Sequence, residues 1–531
     1  MSNFTKQSLN LDDINWKYFD FLCQLKKSSK GKEQLKIGEN VSFSLKNLPI
    51  FQYKDLQKKT ATYFKNAKSC SIWLKKAQGG GGTSIKREIY LKKLTGDAHL
   101  GAKGTDLFVY LGDDLISLAE VQILQSAHSL MTGDFKEIFY DDLVGKESQG
   151  AIHKMWKRKS WLDKSTTYID LGKKVKGFSK FKETLQALLP TLDDRGELTL
   201  DRQAPGGHAF FAFETLISAA EEKDLPPATG THLLSVIGNG EDLGSTPDGV
   251  IFGWIVEEKI PITMITTDKT EIDLKGGQIA SYKSRDGQES VTIIEQAQAK
   301  ESGQLDVFEK NKGLFNTNVA VFNYSVLVPK LKKLCEKIGV DSFERIIMPT
   351  LIENKKTQKN ADGEVHTYEQ LEGAMGSTLL NLDAAWRRNF NEPLVHFVNI
   401  DRANRTRFFS PVKTAFDFFL LFHSDRFNLD QKTFRLVDNR PGALPFIQLN
   451  HPFYLEVQNV LGAFSNTEVL DLDYLLVEGN PVTLSDLKLA GKVHIINTAE
   501  RMVDLKNLLN GKKELKNQTV RITPQEQLIL S

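Results

Sequence analysis

The residues with the most evident chemistry are Gln78-Gly79-Gly80-Gly81-Gly82-Thr83-Ser84. Four consecutive glycines remove four Cβ atoms just after an apolar segment, Cys70 to Leu74, that reads as a strand. Backbone N–H groups there can curl round an anion, and glycine tolerates the positive φ such a curl needs. Thr83 and Ser84 add hydroxyl donors. This suits a polyphosphate, although a flexible surface loop has the same composition. No Gly-Lys-Ser/Thr closes the tract, so it is not a Walker loop, and it is not the dinucleotide fingerprint.

Further stretches carry polar groups in tight turns. Pro205-Gly206-Gly207-His208 sets a His after a flexible turn, where it can donate to a phosphate or a sugar hydroxyl. Asn239 to Asp248 follows a buried-looking strand with an Asn, a Glu and two Asp, oxygen ligands of the kind Mg²⁺ accepts; an acidic turn with an Asx cap reads the same way. Lys275-Gly276-Gly277 is a second close-approach glycine pair. Glu295 and the amides of Phe315-Asn316-Thr317-Asn318 can bond sugar hydroxyls. Arg405 to Thr414 packs Arg405, Arg407 and Lys413 beside Phe408-Phe409, and a lysine there can neutralise an anionic substrate.

The elements that must hold these groups alternate. Leu233–Ile237, Ile262–Thr266 and Val291–Ile294 read as strands and Pro329–Ile338 as a helix. Such alternation predicts an α/β sheet with helices on both faces and ligands at the carboxyl ends of its strands. Before it, residues 1–68 read as a Lys-rich helical segment; Asp106–Leu111 reads as a strand and Leu115–Leu124 as a helix. The basic cluster Lys154 to Lys159, interleaved with Trp156 and Trp161, offers a stacking platform or, as the commoner case, an amphipathic helix face. From about 440, short apolar pairs recur between turns, which suits a small β-helix, with a β-sandwich left open.

At 531 residues the chain is too long for one core. A net charge of +2 points away from nucleic-acid or membrane-surface binding. Three dispersed cysteines, the absence of a ~18-residue apolar run and a polar start are those of a cytoplasmic protein.

In their order, these motifs resemble the eukaryotic-type UTP–glucose-1-phosphate uridylyltransferase family, also called UDP-glucose pyrophosphorylases. The family's GGLGTS loop is similar to Gly79 to Ser84, its PPGHGD turn to Ala204 to Ala209, and its NIDNLGATVD stretch to Asn239 to Asp248. Its DVKGGTL, FNTNN, QLETAVGAAI and RSRFLPVKTTSDLLL segments resemble Asp273–Ile279, Phe315–Val319, Gln370–Ser377 and Arg405–Leu420. The likeness covers most of residues 70 to 500.

The resemblance implies a Rossmann-like nucleotidyltransferase core with a mixed sheet over residues 69–440, a helical segment 1–68 and a small C-terminal β-helix, 441–531. It implies UTP and a sugar 1-phosphate, most directly glucose 1-phosphate, as substrates, with Mg²⁺. Gly79, Gly80, Gly81, Gly82, Thr83, Gly207 and Asn239 would hold the nucleotide. Lys413 and Lys103 would be the catalytic amines, and Glu241 the metal ligand. His208, Gly277, Glu295, Asn316 and Asn318 would line the sugar pocket. A homo-oligomer formed through the C-terminal part is a further expectation.

Three features depart from the family pattern, one of them Glu241 at the metal position, where the family usually has Asp. The second lysine of its GCKGPKS segment falls on Asp106, leaving Lys103, or Lys86 and Lys92 of the preceding insert, to supply the cation. Residues 129–200 show no counterpart of the segment that contacts the base. Those departures leave a second reading, a catalytically weak relative that binds nucleotide or sugar nucleotide.

Overall fold

The computed structural model describes residues 19–20, 22–24, 26, 36–46, 48–79, 85–98, 100–186, 188–193, 195–205, 208–270, 273, 276–283, 287, 289–311, 313–349, 351–359, 365–442 and 444–531. Its centre is a mixed α/β sheet. The strands run in the order Ile50–Gln52, Val395–Ile400, Ile262–Asp268, Leu314–Asn323, His232–Asn239, Cys70–Gln78, Glu137–Val144 and Phe178–Leu185. Leu314–Asn323 is antiparallel to both its neighbours, whereas the other adjacent pairs are parallel. A hairpin, Gly277–Lys283 with Glu289–Glu295, joins at the edge of Leu314–Asn323.

Both faces are covered, because alternate side chains of each strand enter different cores. Ile72 and Leu74 pack with the helices Thr60–Ala67, Leu118–Met131, Lys146–Trp156 and Gly249–Glu257. Trp73 and Ala77 pack with His208–Glu221, Tyr324–Ile338 and Met375–Phe390. From Cys70–Gln78 the chain crosses to Glu137–Val144 on one side and later returns to His232–Asn239 on the other. The carboxyl end of Cys70–Gln78 is therefore a topological switch point, the place where open sheets bind ligands. Gly79 begins there.

The N-terminal segment, expected to be helical, also supplies strands. Ile50–Gln52 pairs with Val395–Ile400 and Val41–Ser42 with Gly277–Lys283. Three residues are too few to show a period, and only the neighbouring strand makes Ile50–Gln52 extended. Phe108–Leu111 is a strand but pairs in a separate hairpin with Asp114–Ser117. Trp156 is buried and donates its indole N–H to Asp142, so it is no stacking platform.

In the tail, Phe446–Leu449, Leu472–Gly479, Lys488–Asn497 and Glu514–Ile522 pair in parallel, and Leu528–Leu530 closes the row antiparallel. Val482–Thr483 and Val503–Asp504 pair in parallel as a second short row. Leu475, Val493 and Val520 share one core with Phe416, Phe419 and Phe464, so the tail is packed onto the segment that follows Lys413.

Candidate active site

The crevice begins where Cys70–Gln78 ends. Two glycines let the backbones meet there. A Cβ on Gly79 would come 2.0 Å from Gln186 Oε1, and one on Gly145 would come 2.3 Å from the Gly79 carbonyl oxygen. Ser148 ties the same point by donating to the Gln78 carbonyl at 2.6 Å. Gly145→Ala, whose Cβ would meet the Gly79 backbone rather than a movable side chain, is expected to destabilise the protein by ~1–3 kcal/mol, the cost of overpacking a closed site. A thermal midpoint equal to that of the wild type would contradict this packing. Gly80, Gly81, Gly82, Thr83 and Gly207 lie outside the described residues; His208 opens the helix His208–Glu221.

The loop after His232–Asn239 closes over Gln78. A Cβ on Gly240 would sit 2.2 Å from Gln78 Oε1, and one on Gly104 would sit 2.6 Å from the Gly240 carbonyl oxygen. Both amide atoms of Gln78 and the Asn239 Oδ1 are buried without a hydrogen-bond partner among the described residues. Such atoms are costly unless something else satisfies them.

The acidic residues of this loop divide by role. Asp248 caps the helix Gly249–Glu257, accepting from the N–H groups of Val250 and Ile251, which is the Asx-cap reading. Asp242 Oδ1 accepts from Gly244 N at 2.9 Å and Ser410 N at 2.7 Å, and burial pushes its carboxyl up to about 6. Glu241 remains open, with its side chain 20% exposed and 3.5 Å from Lys103 Nζ. Beneath the loop, buried Lys76 donates to Ser245 Oγ at 2.7 Å; burial brings its ammonium down to about 7, while Asp242 and Glu241 pull it back up.

Of the three candidate amines near the glycine tract, Lys103 is the one joined to the segment of Lys413. It donates to the Val412 carbonyl at 3.1 Å. The backbone of Lys86 instead bonds that of Leu455 and Val457, and Lys92 is exposed on the helix Glu88–Thr95. Lys413 itself lies 5.2 Å from the ring centroids of both Phe315 and Phe409. Burial lowers its pKa, opposed by Asp273, Asp417 and Asp242. Asp417 accepts from the N–H groups of Lys413 and Thr414 and completes a capping box at the helix Ala415–Phe422, which fixes where the lysine leaves the backbone.

Beyond Lys413 the remaining expected residues converge. Gly277 pairs with Glu295, and a Cβ on Gly277 would come 2.6 Å from Glu295 Oε1. Asn316 Nδ2 donates to Asn318 Oδ1 at 2.8 Å, and a Cβ on Gly376 would lie 3.2 Å from Asn316 Nδ2. Asn318 takes φ 58°, a left-handed conformation Asn tolerates, beside a register shift between Ile265 and Thr266. Buried Arg405 grips Asp273 with two bonds, 2.6 and 2.7 Å, and so ties the turn before Gly277 to the segment of Lys413.

Burial pushes Glu295 up to about 7, and Lys413 opposes the rise. A carboxyl held above its unfolded value contributes stability that is complete below the unfolded value and is lost as pH climbs through the folded one. Thermal midpoints should therefore fall from about pH 5 to about pH 8 more steeply in the wild type than in Glu295→Gln. Parallel curves for the two proteins would refute the assignment.

Gln186 and Arg87 were not anticipated. Gln186 lies against Gly79, and no local pattern marks it. Arg87 is fully buried against Asp106.

The mixed α/β sheet thus carries Gly79 at its switch point, and Lys103 joins the neighbouring loop to the segment of Lys413. The family model for UTP–glucose-1-phosphate uridylyltransferase matches residues 185–489, more than half of the chain. The chain belongs to this family. It is 31% identical over 333 residues to the UTP–glucose-1-phosphate uridylyltransferase of Saccharomyces cerevisiae, a match covering 62% of this chain and 59% of the yeast protein. It is 29% identical over 337 residues to the enzyme of that name from Astragalus penduliflorus, covering 61% and 62%. The chain thus spans about three-fifths of the length of these relatives. Its fold is similar to that of UDP-glucose phosphorylase from Trypanosoma brucei, with a TM-score of 0.69 at 22% identity over 97% of this chain and 98% of the other. The UDP-glucose pyrophosphorylase of Leishmania major gives 0.64 at 22% identity, covering 94% and 95%.

Proposed function

We propose that the protein joins UTP and a sugar 1-phosphate, most directly glucose 1-phosphate, to give a UDP-sugar and pyrophosphate. A phosphate oxygen of the sugar attacks the α-phosphorus, the bond to the bridging oxygen of the β-phosphate breaks, and pyrophosphate leaves with that oxygen. Such a reaction asks the protein for alignment and charge neutralisation. The observation that carries the reading is the bond from Lys103 Nζ to the carbonyl of Val412, next to Lys413. It joins the turn of Lys103 to the segment of Lys413, whose amine acts on Glu295, and so supports one crevice shared by both lysines. Gly79 to Thr83, Gly207 and Asn239 would take the nucleotide. His208 would serve the sugar with Glu295 and the two asparagines.

Among the described residues, no group of three or more His, Cys, Asp or Glu is placed to hold a metal ion. One open carboxylate, Glu241, fits Mg²⁺ held mostly by phosphate oxygens and water. When bound, the ion would neutralise phosphate charge.

The core would be Rossmann-like over residues 69–440, with the segment 1–68 before it and a short β-helix over 441–531. Ile529 and Leu530, exposed on the last strand, would be where two copies meet; an unchanged particle mass after truncation before Leu528 would exclude that. No described helix is long and apolar enough to cross a membrane. The net charge of +2 and the burial of Trp156 argue against a nucleic-acid partner. The dispersed cysteines support a cytoplasmic setting.

Pyrophosphate release from UTP with glucose 1-phosphate and Mg²⁺ tests the reading, against other nucleotides and sugar 1-phosphates. Release is expected to be fastest with that pair. No release with any pair would leave the binding-only reading, which rested in part on Asp106; Arg87 now accounts for the charge at that position.

A further inference from the structure

We propose that Arg87 and Asp106 are a positioning pair that sets Lys103 in the crevice and fixes the exit of the glycine tract to the same point; the proposal rests on the transferase reading above. Among the described residues the guanidinium links three different parts of the chain. Its Nε donates to Asp106 Oδ2 at 2.7 Å, its Nη2 to the Gly101 carbonyl at 2.8 Å and its Nη1 to the Ile85 carbonyl at 3.3 Å. Asp106 Oδ2 also accepts from Gly101 N at 2.9 Å. One side chain therefore closes the segment between the tract and Lys103 into a ring.

Inside that ring the turn Lys103–Asp106 is tightly specified. Asp106 N and Thr105 Oγ1 both donate to the Ala102 carbonyl, at 3.0 and 2.9 Å. A Cβ on Gly101 would meet Ala151 Cβ at 2.4 Å, so the turn cannot drift towards the helix Lys146–Trp156. Lys103 leaves this turn for Val412 and Glu241. At the other end, Lys86 N donates to the Leu455 carbonyl and Val457 N to the Lys86 carbonyl, each at 2.9 Å, so the tail holds the tract exit from outside.

Stability alone is a poor reason for such a pair. Arg87 and Asp106 side chains are 0% and 6% exposed, and burying both charges costs about what their attraction returns; apolar replacements of similar volume are often as stable. What apolar side chains cannot supply is the fork that joins Ile85, Gly101 and Asp106 in one plane.

The test compares pyrophosphate release by the full chain and by four variants, with UTP and glucose 1-phosphate. Arg87→Met/Asp106→Leu takes these partners from the Gly101 N–H and from the Gly101 and Ile85 carbonyls, so it should lower the thermal midpoint while staying folded, and lose kcat by ~10–100-fold, as expected when an amine is misplaced by about 1 Å. Lys103→Met should cost far more in the wild type than in that double variant, because the lysine is already out of place there. Should the double variant fail to fold, Arg87→Lys keeps the charge without the fork and should still lose kcat by about tenfold. A folded double variant, or Arg87→Lys, with wild-type kcat and KM would overturn the proposal. So would an undiminished Lys103→Met effect in the double variant. A wild type that releases no pyrophosphate would remove the transferase reading itself, and the proposal with it.

Discussion

Lys413→Met is expected to lower kcat/KM for the sugar 1-phosphate by ~10²–10³-fold, the usual loss when one preorganised partner of developing charge is removed. The magnitude follows from where the amine sits. It stands within reach of two ring faces, Phe315 and Phe409, and is held at its base by the Asp417 cap. A cation fixed this way needs no reorganisation when charge develops nearby. Burial already lowers its pKa, and the carboxylates of Asp273, Asp417 and Asp242 work against that fall. An incoming phosphate would act in the same direction as those carboxylates. Thermal stability should hold or rise in Lys413→Met, since a buried ammonium is replaced by an apolar chain of similar length. Lys413→Arg should rescue only in part, because the longer, planar fork carries its charge beyond the buried point where the ammonium sits. Steady-state rates at saturating UTP check both variants, and a Lys413→Met protein with wild-type kcat/KM would end the case for this crevice.

Much of what would place the proposed crevice is legible in the chain. Gly79, Asn239, Gly277, Glu295 and Asn316 each follow or flank a short apolar run, and a strand's end is where backbone and polar groups reach a ligand together. What could not be read depends on distant partners. Ile50–Gln52 is extended because Val395–Ile400 is beside it, far along the chain. Gln186 matters through its position against Gly79, and nothing near it in the chain marks it. Trp156 is different, because its environment was legible. Ile152, Met155 and Trp156 recur at helical spacing and are all buried, so the lysines around them belong to the opposite face. Arg87 looked like one more cation in a charged insert, and only its contact with Asp106 shows why it is inside.

Asp106→Lys, which supplies the lysine that the family resemblance leads one to expect there, is expected to damage the protein rather than improve it. In this chain position 106 faces a guanidinium with no solvent between them. Removing one partner of a buried pair costs about 3–5 kcal/mol, and a second cation adds repulsion to that loss. The Gly101 N–H would also lose its acceptor. The variant should therefore show a lower thermal midpoint and a smaller soluble yield. Its kcat should fall as well, because the Lys103 turn is built on the same carboxylate. Reversing the pair, with Arg87→Glu added, should recover part of the stability, since a charge pair is re-formed without the fork to Ile85 and Gly101. Thermal denaturation of the single and double variants decides the matter. If Asp106→Lys alone were as stable as the wild type and faster, position 106 would be open to substrate, and its partner Arg87 would have to move aside to make it so.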